Sequence, residues 1–261
     1  MSDTKIQLAV AGAAGRMGRI VLELAGRSDR FTVSAALTAP GLAPPGATVR
    51  CDDRNLPLVE TLETACDVLI DFTVAEGTMV WLEVCERHRL PMLIGTTGHS
   101  DEQMARIRSA SRTIPIVKAG NCSVGVQAMM NVLGRLAKEL GDGYDVEIVE
   151  THHRHKLDAP SGTALAMLDE MARATGRTRD DAVFGRHGRT GERPQGQIGV
   201  HAVRMGEIVG RHEVHFSGPG ETITITHTAH SRETFAAGAL RAAAWLVGRE
   251  PGLYSMRNVL G

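Results

Sequence analysis

The chain has 261 residues, 43% of them hydrophobic and 3% aromatic, and its 29 Lys and Arg against 30 Asp and Glu leave a formal charge of −1. That length suits one large domain or two modest ones around a largely aliphatic core. The charge balance excludes a general affinity for nucleic acid or an anionic membrane, so any basic site must be local, and no stretch is long and apolar enough to span a bilayer.

In chain order, Lys5–Ala11 is a short apolar run that ends at glycine and reads as a buried strand. For the same reason Met1–Val10 does not read as a signal peptide, since the run meets Gly12 instead of a small-residue cleavage site. Arg16–Gly26 is helical, with Met17, Ile20, Val21 and Leu24 on one side, and Phe31–Leu37 is a second strand. Pro40–Gly46 is a loop by its Pro and Gly content. A strand over Asp67–Phe72, a helix over Glu76–His88, a strand over Pro91–Ile94, a helix over Asp101–Ser111 and a strand over Ile114–Lys118 follow. This alternation predicts a parallel sheet with helices on both faces.

After Asn121 the pattern changes. Gly125–Leu140 reads as a long helix, Asp145–Thr151 as a strand, and Thr163–Thr175 as a helix. Ile198–Val203, Glu207–Phe216 and Glu221–Thr228 read as successive strands, the last alternating cleanly. Arg232–Val247 is an Ala-rich helix that packs back on the first domain, and the Gly/Arg-rich span Gly185–Gly199 reads as a mobile loop. The expected fold is α/β: a Rossmann-type doubly wound parallel sheet with an inserted α+β domain. The expected domains are residues 1–123 plus 232–261 for a dinucleotide, and 124–231 for substrate and oligomerisation. Cys51, Cys66, Cys85 and Cys122 form no CxxC pair and read as reduced thiols of a cytoplasmic protein.

Two segments carry chemistry. Gly12-Ala13-Ala14-Gly15-Arg16-Met17-Gly18 follows a strand and opens a helix. In that setting glycines turn the chain, admit a pyrophosphate to the backbone and bring helix against sheet, while N–H groups at the helix start bind phosphate. The alternative is a tight turn without ligand. The second strand ends at Leu37-Thr38-Ala39 without the acid that would hold a ribose 2′-hydroxyl, so NADPH is plausible, with Arg16 or Arg19 as countercharge.

The second segment, Glu150–Ala164, places His152, His153, His155, Arg154 and Lys156 ahead of a helix entry. Histidine moves protons near neutral pH, and a lysine supplies a charge and a proton beside a developing anion. Asp158 or Ser161 caps the helix, Pro160 fits near its first turn, and the N–H groups of Gly162 and Thr163 suit a carboxylate. A solvated basic turn is the competing reading. A metal site is disfavoured, because neighbouring strand histidines point oppositely and no HExxH occurs. Asp71 and Thr73 either face a ligand at a strand end or cap the next helix, and the later histidines His201, His212, His215, His227 and His230 read as structural or interface residues.

On these residues the chain resembles the dihydrodipicolinate reductase family of the bacterial diaminopimelate and lysine pathway. The resemblance runs nearly end to end: Val10–Arg19, Ile70-Asp71-Phe72-Thr73, Gly95-Thr96-Thr97-Gly98, Asn121–Val126, Thr190–Arg193, and above all Glu150–Ala164. It implies reduction of a cyclic dicarboxylate imine to tetrahydrodipicolinate with loss of water, using NADPH or NADH, NADPH being slightly favoured. It implies His152 as acid–base residue, Lys156 as proton donor, and His153, Gly162 and Thr163 on the substrate carboxylates. Dinucleotide contacts are implied for Gly12, Ala13, Ala14, Gly15, Arg16, Met17, Thr38, Gly95, Thr96, Thr97, Ala119, Gly120, Asn121 and Cys122. No metal is implied, and the partners are a small dicarboxylate and further copies in a homotetramer formed through the second domain's sheet. Two departures are visible: Thr38-Ala39 stands where the family often has an acid, sometimes followed by Arg, and Cys122 where it often has Phe. Cys122 reads as a space-filler instead of a redox group. Competing readings are a different Rossmann dehydrogenase, such as one acting on an amino-acid semialdehyde, and a dinucleotide sensor without chemistry.

Overall fold

The computed structural model describes residues 4–261; Met1–Asp3, the start of the segment read above against a signal peptide, lie outside the described residues. The chain divides into two compact units, one running to Val124 and resuming over Arg232–Gly261, the other Gly125–Ser231. The expected junction after residue 123 lies one residue from this division.

The elements begin with β1 (Ile6–Ala11), α1 (Arg16–Gly26), β2 (Phe31–Leu37), β3 (Thr48–Cys51), β4 (Arg54–Val59), β5 (Val68–Asp71) and α2 (Ala75–His88). They continue with β6 (Met92–Ile94), α3 (Asp101–Ala110), β7 (Pro115–Lys118), α4 (Val124–Leu140), β8 (Asp145–His152), α5 (Gly162–Thr175) and β9 (Ala182–Phe184). The chain closes with β10 (Ile198–Arg204), β11 (Gly210–Gly218), β12 (Glu221–Ala229), α6 (Glu233–Leu246), β13 (Gly252–Tyr254) and α7 (Met256–Leu260).

The first unit is an eight-stranded sheet in the order β13-β7-β6-β5-β1-β2-β4-β3. β1 pairs in parallel with β2 on one side and β5 on the other, so the winding reverses at β1. Ligands of doubly wound sheets bind beyond the carboxyl ends of the strands at such a reversal. Because a strand alternates its side chains, Leu8 and Val10 of β1 join Val21 and Leu22 of α1 and Ala239 and Leu246 of α6 on one face. Ala9 and Ala11 join Trp81 and Leu82 of α2 and Ile107 of α3 on the other. The Ala residues of α6 bring that helix close to the sheet.

The structure adds elements that the pattern reading left out. β3 and β4 form an antiparallel hairpin through Asp52, whose φ is +55°. Arg54–Val59 contains Pro57 and polar residues and carries no alternating signal. β9, β13 and α7 have three, three and five residues, too short for periodicity to show.

The second unit is a mixed five-stranded sheet, β12-β11-β8-β10-β9. β8 and β10 are parallel; β11 runs antiparallel to both β8 and β12. One face buries Val146, Ile148, Val200, Val214 and Phe216 against Met129 and Leu133 of α4 and Met167 and Leu168 of α5. The span Gly185–Gly199, expected as a mobile loop, holds no helix or strand before Ile198, but it is fastened to its neighbours. Ile198 and Gly199 begin β10, Arg186 bonds Glu147 at 2.9 and 3.2 Å, and Arg193 bonds both Asp145 (2.6 Å) and Glu147 (3.2 Å). Its arginines fasten it to β8. Burial pushes the Glu147 carboxyl up, but hydrogen bonds from Arg186, His201 and Arg193 outweigh that and hold it at about 2.

Candidate functional site

In the first unit the glycine turn joins β1 to α1. Gly12 has φ +76°, and a Cβ there would collide with the Phe72 carbonyl; a Cβ on Gly18 would collide with the carbonyl of Gly12. Both positions therefore require glycine. Gly15 caps α1 without a side-chain bond, and the helix has no acid in its first turn. The positive end of α1 is thus left for an anion. The N–H groups of Gly12 and Ala13 both donate to Leu37 O, at 3.0 and 3.1 Å, so they tie the turn to β2. Donors for phosphate belong to the later part of the expected set, at Arg16 and Met17, whose N–H groups have no partner within the helix.

Arg16, Met17, Gly95, Thr96 and Thr97 line one cavity of about 620 Å³ together with Thr73. Thr96 is buried there, and among the described residues its hydroxyl has no hydrogen-bond partner. Its carbonyl accepts from Lys118 Nζ at 2.8 Å. Gly120 stands beside Thr97, with an added Cβ 3.6 Å from Thr97 Cγ2, which brings the Ala119–Cys122 segment to this rim. Ala119 N donates to Ile94 O (3.0 Å), and Asn121 Oδ1 accepts from Ser123 N (2.9 Å). Thr38 follows β2, and its N–H donates to Val59 O at 2.9 Å. Arg16 and Arg19 are both exposed, and Arg19 donates to Ala14 O through Nε (2.8 Å). The crowded glycines, the uncapped helix start and the unpartnered Thr96 hydroxyl fit a dinucleotide.

Asp71 is buried and accepts from Thr73 N and Oγ1 (2.9 and 2.5 Å) and from Thr78 Oγ1 (2.5 Å). It locks the β5–α2 turn, while the N-cap of α2 is Val74 without a side-chain bond, so neither Asp71 nor Thr73 is the cap. Burial pushes the Cys122 thiol up to about 12, which removes the thiolate a redox role needs.

In the second unit the His–Lys segment leaves the end of β8. His152 is the last residue of β8; His153–Lys156 turn, Lys156 N donating to His153 O at 3.1 Å. Lys156 Nζ lies 2.8 Å from Asp158 Oδ1. Of the two proposed caps, Ser161 is the one in place: its Oγ accepts from Ala164 N at 3.1 Å. Pro160 therefore precedes the cap instead of lying in the first turn. Gly162 is exposed at the start of α5, with open space where a Cβ would be, and Thr163 follows it, half-buried.

Glu150 organises this segment. It is fully buried, and its carboxylate accepts from Ser161 N (2.9 Å), Arg204 Nη2 (2.7 Å), Arg204 Nη1 (2.8 Å) and His152 Nδ1 (2.6 Å). Burial raises the Glu150 carboxyl, yet the bonds from His152, Arg204 and Ser161 win and hold it at about 2. One anion thus ties His152, the start of α5 and the end of β10 together. His212 is buried beside them, its Nε2 3.0 Å from Ser161 Oγ and its ring edge-on to His152 at 5.1 Å. Burial first, and the neighbouring His152 second, push His212 down to about 4. Glu150, Arg204 and His212 were not among the expected site residues. Glu150 was findable, since residues two apart on a strand share a face. Arg204 lies 54 residues from Glu150, and only the sheet pairing brings them together.

A doubly wound unit with a phosphate-suited glycine turn, followed by an α+β unit carrying a His–Lys–helix-start cluster, defines a nucleotide-dependent oxidoreductase. Family models described as dihydrodipicolinate reductase, N-terminus and C-terminus, match residues 6–122 and 125–260, and the chain belongs to that family. It is 48% identical over 268 aligned positions to the 4-hydroxy-tetrahydrodipicolinate reductase of Burkholderia thailandensis, covering 100% of this chain and 99% of the relative. The enzyme of that name from Burkholderia pseudomallei is 47% identical at the same coverage. Among solved structures, dipicolinate-bound dihydrodipicolinate reductase from Paenisporosarcina sp. TG-14 shares the fold with TM-score 0.77 at 22% identity, over 98% of this chain and 99% of that one. Aspartate semialdehyde dehydrogenase II from Vibrio cholerae shares it more loosely, with TM-score 0.55 at 13% identity over 94% of this chain and 99% of that one. Among the described residues no helix is long and apolar enough to cross a membrane.

Proposed function

We propose that this protein is a 4-hydroxy-tetrahydrodipicolinate reductase, reducing the cyclic dicarboxylate imine to tetrahydrodipicolinate in diaminopimelate and lysine synthesis. The observation that carries the reading is the Glu150-held cluster, which sets an imidazole and a helix N-terminus on one carboxylate, with Lys156 in the turn between them. The full-length identity to reductases of that name supports it. Across the reaction the ring gains a hydride and a proton and loses its hydroxyl as water, so acid–base groups and anion donors are both needed.

His152 serves as acid–base group and Lys156 as proton donor. His153, Gly162 and Thr163 hold the substrate carboxylates, the α5 start favouring negative charge. In the first unit Gly12 through Met17, Thr38, Gly95 through Thr97 and Ala119 through Cys122 hold the dinucleotide, Gly12 and Ala13 by shaping the turn. NADPH or NADH, when bound, supplies the hydride; Thr38 in place of an acid slightly favours NADPH. The four free thiols fit a cytoplasmic protein, and the family implies a homotetramer assembled through the second unit's sheet.

The test is spectrophotometric oxidation of NADPH and of NADH by purified protein, with substrate generated in situ from pyruvate and aspartate semialdehyde by the preceding synthase. Oxidation that requires the synthase product is expected. A folded protein that binds the dinucleotide yet never oxidises it would overturn the reading in favour of another substrate or a sensor.

A further inference from the structure

We propose that Glu150 is the positioning residue of the reductase, fixing the proton of His152 on Nδ1 so that Nε2 is the nitrogen that exchanges protons with substrate. The proposal rests on the reading of His152 as the acid–base group and deepens it.

The argument begins with what Glu150 costs. A fully buried carboxylate must be paired and hydrogen-bonded to be tolerated, and such a pair returns little net stability over an apolar replacement. This one has four donors from three elements: His152 on its own strand, Ser161 at the start of α5, and both terminal nitrogens of Arg204 on β10. The Arg204 fork is bidentate, which fixes the carboxylate plane as well as its charge. Arg204 is itself held by Asp158 O at 2.6 Å.

An ionised carboxylate only accepts hydrogen bonds. With Oε2 of Glu150 at 2.6 Å, Nδ1 of His152 must therefore carry its hydrogen whether the ring is neutral or charged. The proton that comes and goes is then the one on Nε2. The surroundings of Nε2 agree. It faces Gly210 of β11, where even a Cβ would stand only 3.0 Å away, so that position puts no side chain over it. The remaining titratable groups of the cluster are His212, edge-on at 5.1 Å, and Lys156, paired to Asp158. His212 is occupied on Ser161 Oγ and does not compete for Glu150. A carboxylate that sets the tautomer of a catalytic imidazole is the arrangement that makes a histidine a directed base.

Glu150→Gln separates positioning from simple structure. Its single oxygen is drawn to the Oε1 position, because the two donors there, Ser161 N and Arg204 Nη2, cannot become acceptors, whereas at the Oε2 position Nδ1 can, and Arg204 Nη1 keeps Val203 O as an acceptor. That places the amide NH₂ against Nδ1, which must then accept, so the ring proton moves to Nε2. The readout is 15N NMR of the imidazole nitrogens, with the His152 signals assigned by their loss in His152→Gln. In wild-type protein, neutral His152 should carry its proton on Nδ1; in E150Q it should carry it on Nε2. kcat should fall on the order of 100-fold while KM stays within about threefold. Neutral His152 protonated on Nε2 in wild-type protein would overturn the proposal, and that measurement needs no variant to fold. So would wild-type kcat in E150Q alongside a disabled H152Q. Wild-type turnover in H152Q would instead overturn the reading of His152 itself, and the tautomer spectra keep the two failures apart.

Discussion

Gly210 on β11 and His152 on β8 meet across the second unit's sheet, where a methyl on Gly210 would stand 3.0 Å from His152 Nε2. The backbone at Gly210 does not use the left-handed region, so an alanine suits the strand there. Gly210→Ala should therefore leave unfolding free energy within about 1 kcal/mol of wild type. It should nonetheless lower kcat/KM on the order of tenfold or more, because the methyl crowds the nitrogen proposed to meet substrate. Urea titration and steady-state kinetics on the same preparation check both halves. An active G210A would mean that Nε2 is not the working nitrogen.

Lys156 separates charge from proton transfer. Its ammonium sits on Asp158 at 2.8 Å, with the side chain only 21% exposed. Arginine keeps the charge but does not give up its proton, so if Lys156 is a donor the substitution is not conservative. Lys156→Arg and Lys156→Ala should both lose turnover on the order of 100-fold. A Lys156→Arg enzyme close to wild type, beside a crippled Lys156→Ala, would reduce Lys156 to an electrostatic role.

Much of the fold was readable because the buried parallel strands are nearly continuous apolar runs that end at glycine, as Leu8–Ala11 does before Gly12. The hairpin Thr48–Val59 was not, because Pro57 and the charged residues Arg50, Asp52, Asp53 and Arg54 break the alternation while pairing beside β2 supplies the order. The loop from Gly185 read as mobile by composition, yet Glu147 collects its arginines from 39 and 46 residues away. The site divides in the same way. His152, Lys156 and the α5 start are local in sequence, so the chemistry proposed for them could be read from spacing alone. Arg204 and His212 reach Glu150 and Ser161 only through the pairing of β10 and β11 with β8, which no spacing along the chain reports.

Cofactor choice is proposed to turn on Thr38, which follows the end of β2 without a carboxylate. Thr38→Asp should raise KM for NADPH by about tenfold, because an acid there repels a 2′-phosphate, and should lower KM for NADH. Arg16 and Arg19 are both exposed, but Arg19 Nε is engaged at Ala14 O, so Arg16 is the freer candidate for countercharge. Arg16→Ala should weaken NADPH more than NADH. Equal effects of both substitutions on the two dinucleotides, read by fluorescence titration, would place the 2′-phosphate elsewhere.

His212 gives the fold a pH-dependent weakness that differs from that of its carboxylates. Burial, together with the neighbouring His152, pushes His212 from its ordinary 6.5 down to about 4. Between those values the unfolded chain binds a proton that the folded chain refuses, so stability is full above about pH 6.5 and falls as the solution is acidified towards 4. The loss should reach on the order of 2–3 kcal/mol. His227, also pushed down by burial, adds in the same direction. Glu147 and Glu150, both held at about 2, are also depressed groups, but their stability is lost only below the ordinary carboxylate range. The two windows therefore separate along the pH axis. His212→Gln keeps a partner for Ser161 Oγ and cannot titrate, so its unfolding free energy, followed by circular dichroism in urea, should be flatter than wild type between pH 6.5 and 4 and parallel to it below. Identical slopes in the upper window would show that the folded state, by burial first and His152 second, does not hold His212 neutral.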